Sequence, residues 1–143
     1  MRIVVVLQNP WKKGELRKGY SPPRWKKEFL SSRTGKRLIR LLGTRAFHVI
    51  NANPTLTEHA TAKPLKPRHD LTSRLNRLRP DLVLLCGRLA FDSINLQKLR
   101  SNIVCLLVHH PAFRCYSIPD EAKKARTIKH VLSWVSCSIG ESK

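Results

Sequence analysis

Two apolar runs in this chain, Val4-Val5-Val6-Leu7 and Val104-Cys105-Leu106-Leu107-Val108, stop abruptly at a polar pair followed by proline. The first ends in Gln8-Asn9-Pro10-Trp11 and the second in His109-His110-Pro111. Runs without polar alternation belong to strands covered on both faces, the habit of parallel sheets. The same criterion predicts four strands, at Arg2–Leu7, Phe47–Asn51, Leu82–Cys86 and Ile103–Val108. Between them the apolar spacing turns helical. Lys36 to Leu42 is amphipathic and stops at Gly43. Leu71, Leu75 and Leu78 form a second stripe, with Asp70 as its N-cap and Pro80 as its stop. Leu89 to Leu99 reads as a third helix, and Ile128, Val131, Leu132 and Val135 mark a last one starting near Pro119-Asp120.

Strands alternating with helices define the α/β class, with a parallel sheet and right-handed crossovers. Ligands of open α/β sheets bind beyond the carboxyl ends of the strands. The polar residues that end the apolar runs therefore sit where chemistry is expected. Two long connections, Trp11 to Ser32 and Asn53 to His69, also leave from strand carboxyl ends and would overhang the same rim. Connections of this length in a compact domain are usually functional or disordered.

Charge sharpens the picture. The chain has 143 residues, 28 Lys and Arg against 9 Asp and Glu, and a formal charge of +19. Its length fits one domain spanning residues 1–143, and 41% hydrophobic residues rule out a merely basic tail. An excess of this size opposes compaction and calls for a polyanionic partner. Cations interleave with Trp11, Tyr20 and Trp25, which favours nucleic acid, with Lys12, Lys13, Arg24 and Lys26 as candidate phosphate contacts. A membrane partner is not expected, because no segment approaches the roughly 20 apolar residues of a spanning helix. The opening apolar run is too short for a signal peptide.

Cys86, Cys105, Cys115 and Cys137 lack any C-x-x-C spacing. Two fall in predicted strands, where cysteine acts as a small hydrophobe. A reducing, cytoplasmic setting follows, without an iron–sulfur cluster or disulfide framework. His109, His110 and Cys115 match no zinc spacing, so no metal and no cofactor are expected.

The strand ends taken in order resemble the uracil-DNA glycosylase superfamily. Its first strand ends in motifs such as G-Q-D-P-Y or G-I-N-P-G, to which Leu7-Gln8-Asn9-Pro10-Trp11 is similar. Its last core strand ends in H-P-S or a relative, matched here by His110-Pro111-Ala112. Its second strand ends at a base-reading asparagine, for which Asn51 and Asn53 are both candidates. The third strand, Asp81 to Gly87, followed by a helix, is also similar, and Ala112-Phe113-Arg114-Cys115 with Pro119 resembles the mismatch-specific thymine/uracil branch. N-P and H-P dipeptides are common turn formers singly. Four motifs in order, from Ile3 to about Trp134, carry the resemblance.

The resemblance implies a three-layer αβα fold with a four-stranded parallel sheet in the order 2-1-3-4. It also implies a monomeric, monofunctional DNA glycosylase that releases uracil or a related modified pyrimidine from duplex or single-stranded DNA. Asn9 would hold the attacking water, and His110 would stabilise the departing base anion as an oxyanion hole does. Asn51 or Asn53 would read the edge of the flipped base, Tyr20 or Trp11 would stack on its face, and Gln8 would line the pocket. Arg114 falls near the wedge that fills the vacated stack, or else contacts phosphate. Asparagine at position 9 is similar to the slower, mismatch-specific and single-strand-selective branches.

Three departures bear on substrate. Leu7 replaces the usual glycine, Trp11 replaces a small residue, and Ala112 replaces a serine that grips phosphate. Trp11 either screens out the thymine methyl or fills the pocket. Two other functions compete with the glycosylase: a non-catalytic DNA-binding module of the same fold, and an enzyme of modified-pyrimidine metabolism that acts on a base without excising it. The coexistence of Asn9, Asn51 and His110, which a pure binder would not need, favours catalysis.

Overall fold

The computed structural model describes residues 1–8, 30–52, 70–109 and 118–141. Four strands, β1 (Ile3–Leu7), β2 (His48–Asn51), β3 (Leu82–Cys86) and β4 (Val104–Val108), form one parallel sheet in the order β2-β1-β3-β4. Helices α1 (Arg33–Leu42), α2 (Asp70–Leu78), α3 (Arg88–Asp92) and α4 (Ile118–Glu141) alternate with them. The fold is therefore the three-layer α/β sheet in the 2-1-3-4 order.

The pleat assigns the two cores. Ile3, Val5, Leu7, Leu82, Leu84 and Cys86 face one side and pack with Leu38, Leu41 and Leu42 of α1 and Ile128 of α4. Val4, Val6, Val83 and Leu85 face the other and pack with Leu71 and Leu75 of α2 and Ala90 of α3. The central strands β1 and β3 are buried at every position, which is why their apolar runs show no alternation. β4 departs from the expected two-sided burial. Among the described strands it lies at the sheet edge, paired with β3 alone, and Leu107 is half exposed.

Local chemistry sets the helix ends. The Ser32 hydroxyl accepts from the Gly35 N–H at 3.1 Å, capping α1. Gly43 closes the helix in the left-handed region at φ 69°, its N–H donating to the Ile39 carbonyl. Asp70 falls inside the first turn of α2 instead of capping it. There its charge favours the helix dipole, and it lies in an i,i+4 ion pair with Arg74.

The third helix ends well short of Leu99. Polar side chains on α2 offer the backbone other partners after Asp92. The Ser93 hydroxyl donates back to the Leu89 carbonyl, and the Asn95 N–H donates to Thr72 Oγ1 at 2.8 Å. Asn76 then takes both ends of the following turn, donating to the Lys98 carbonyl and accepting from the Arg100 N–H. Asn95 Oδ1 accepts from the Gln97 N–H, a local turn bond that competes with helix. Leu89, Ile94 and Leu99 still pack on the core, so their spacing reports burial of an irregular segment.

Candidate active site at the carboxyl rim of the sheet

Because all four strands are parallel, their carboxyl ends share one rim. Leu7 stands in register with Asn51, so the chain leaving β1 at Gln8 lies beside the end of β2. The ladder continues one step further, with the Ala52 N–H donating to the Leu7 carbonyl at 2.8 Å. On the other side of β1, Cys86 pairs with Val108, and the Gly87 N–H donates to the Val108 carbonyl at 2.9 Å. Gly87 adopts φ 92°, a conformation open to glycine, and turns the chain from β3 into α3.

Asn51 is half-buried, and its backbone is held from two directions. β1 pairs with it on one side, and Arg74 Nη2 on α2 donates to the carbonyls of Asn51 at 2.8 Å and Ala52 at 3.3 Å. Arg74 was not among the residues expected from sequence, since an arginine on a helical stripe looks like any solvated cation. Among the described residues the Asn51 side-chain amide makes no hydrogen bond. Gln8, half-buried at the end of β1, is in the same condition.

The rim thus brings together Gln8 and Asn51 and, beyond Gly87, exposed His109 at the end of β4. β1 and β4 flank β3, so their ends are two strand spacings apart, about 10 Å. Asn9, Trp11, Lys12, Lys13, Tyr20, Arg24, Lys26, Asn53, His110 and Arg114 lie outside the described residues, as does Cys115 of the rejected zinc set. Three segments, 9–29, 53–69 and 110–117, depart from this rim.

Two of the described cysteines, Cys86 and Cys105, are unsuited to nucleophilic chemistry. Burial pushes the Cys86 thiol far up, and the Cys105 thiol up to about 11, so neither is a nucleophile at neutral pH. Among the described residues no group of three His, Cys, Asp or Glu could hold a metal ion. Nor, among them, is any helix long and apolar enough to cross a membrane. No family model matches the chain, and no curated protein matches it in sequence.

Proposed function

We propose that the chain is a DNA glycosylase that hydrolyses the N-glycosidic bond of uracil or a related modified pyrimidine. The observation that carries this reading is the sheet order. With β1 between β2 and β3, the strand ends leading into Asn9, Asn51 and His110 share one rim, in the arrangement the motif resemblance requires.

In this reading a flipped nucleoside lies across the rim between the ends of β1 and β4. The bond from the sugar carbon to the base nitrogen breaks, and its electron pair leaves with the base. His110 donates a hydrogen bond to the base carbonyl oxygen where that negative charge gathers. Asn9 holds the water whose oxygen bonds to the sugar carbon, and the water's proton is released to solvent. An amide orients that water without taking its proton, which makes for a slow enzyme. Asn51 pairs its side-chain amide with the base edge, and its clamped backbone limits the geometries it can accept. Water is the only co-substrate, DNA is the partner, and the chain acts as a monomer in the cytoplasm.

The test is incubation with oligonucleotides carrying uracil, duplex and single-stranded, followed by alkaline cleavage of abasic sites. Strand scission dependent on uracil supports the proposal. The +19 charge favours one second reading, a non-catalytic DNA-binding module. Tight DNA binding with no excision of any modified pyrimidine would establish that reading instead.

A further inference from the structure

A cavity of about 410 Å³ runs along the outer face of α1, lined by Leu30, Ser31, Lys36, Ile39, Arg40 and Arg45. That volume falls within the range of small-ligand sites, about 300–1,000 Å³. Three of these side chains are cationic and none is acidic. Arg40 is tied to Glu121 of α4, but Lys36 and Arg45 are exposed and make no ion pair among the described residues. A concave surface of one sign concentrates its field on an anion. Leu30 and Ile39 add an apolar wall, which a bare inorganic ion would not use and a sugar or base would. Lys36 and Arg40 stand one helical turn apart, about 6 Å along the axis.

We propose that this cavity binds a phosphate-bearing nucleotide unit, presented by a nucleic-acid strand that continues past the rim. It is a second contact, separate from the proposed base pocket, and it needs strand binding but not base excision. Paired cations against an apolar wall suit a nucleotide better than an acidic peptide, whose carboxylates bring no ring to cover Leu30 and Ile39.

The experiment compares the full chain with the double variant Lys36→Ala/Arg45→Ala, sparing Arg40 because it holds Glu121. Both substituted side chains are exposed, and an unchanged melting temperature checks that the variant folds. Affinity for a single strand long enough to span rim and cavity is measured between 50 and 200 mM salt. Loss of two phosphate contacts should reduce the slope of log K against log salt by about 1.4. In parallel, amide resonances of residues 36, 39 and 45 are followed on adding a deoxynucleoside 5′-monophosphate or the matching nucleoside. They should move with the monophosphate and not with the nucleoside. Resonance shifts with an unchanged strand slope would keep the phosphate site but make free nucleotide its source, overturning the strand assignment. An unchanged slope without resonance shifts overturns the proposal, as does polyglutamate competing as well as the strand. If the parent excises nothing, the slope and the resonances still report on the cavity, so the two failures are distinguishable.

Discussion

Arg74 on α2 reaches the carbonyl of Asn51 at 2.8 Å and thereby ties the last residue of β2 to the opposite helical layer. β2 is an edge strand of four residues, so the position of Asn51 depends on this clamp and on its pairing with Leu7. Removing Arg74 leaves two strand-end carbonyls to water. Arg74→Ala should cost about 1–2 kcal/mol, read from urea denaturation, since hydrogen bonds to a charged donor are worth somewhat more than neutral ones. Amide exchange at Ala52 should accelerate while exchange at Val5 follows global stability. Equal acceleration at both sites would place Arg74 outside any local role.

The proposed chemistry predicts a separation of catalysis from binding. His110→Ala and Asn9→Ala should each slow single-turnover excision of uracil by about 10²-fold or more, the order seen for loss of an oxyanion donor. DNA affinity should stay near the parent value, because phosphate contacts dominate binding. Asn9→Asp would place negative charge beside the sugar cation and change the rate in either direction. Parent rates in all three variants would remove these residues from the reaction.

The Glu121 carboxylate sits between two arginines of α1. Arg37 Nε lies 3.0 Å from it, and Arg40 holds its other oxygen. The hydrogen bond from Arg40, reinforced by that from Arg37, holds the Glu121 carboxyl below its ordinary range. The stabilisation is therefore complete above the unfolded carboxylate pKa and is lost as pH falls through the lowered value. Glu121→Gln should cost about 2 kcal/mol at neutral pH, because Arg37 is left buried with a weaker partner. The variant should also show a shallower loss of melting temperature under acid than the parent. Identical acid limbs would dismiss the pair as a source of pH dependence.

Thiol labelling separates the cysteines by burial. Cys137 is exposed on α4, Cys105 is partly covered in β4, and Cys86 is buried in β3. In a Cys115→Ser background at mildly alkaline pH, Cys137 should react first and Cys105 slowly. Cys86 should react only at the rate of global unfolding, since thiolate formation there is suppressed by burial. Prompt modification of Cys86 in the folded protein would contradict the sheet order that places β3 at the centre.

Much of the fold was legible in short-range pattern. The unbroken runs at Val4–Leu7 and Leu82–Cys86 announced strands covered on both faces, because a residue buried either way along the pleat has no polar alternative. Gly43 marked the end of α1 because the left-handed turn there suits a residue without a side chain. The strand order followed from the motif resemblance, since alternation of elements reaches only the α/β class. At the rim, Gln8 and Asn51 were recognisable as polar residues terminating apolar runs.

What pattern alone missed depends on partners distant in the chain. Leu89 to Leu99 has helical spacing, yet Thr72 and Asn76 on α2 capture its backbone and end the helix at Asp92. Leu106 and Leu107 look alike in sequence, but one packs on the core and the other is half exposed, with β4 paired to β3 alone among the described strands. The places of Arg37 and Arg40 beside Glu121, and of Arg74 beside the end of β2, have no local signal in the sequence and are set by packing across the layers. Apolar periodicity is a local record of which face avoids water. Which residue meets which across the layers is decided only when those faces are buried against one another.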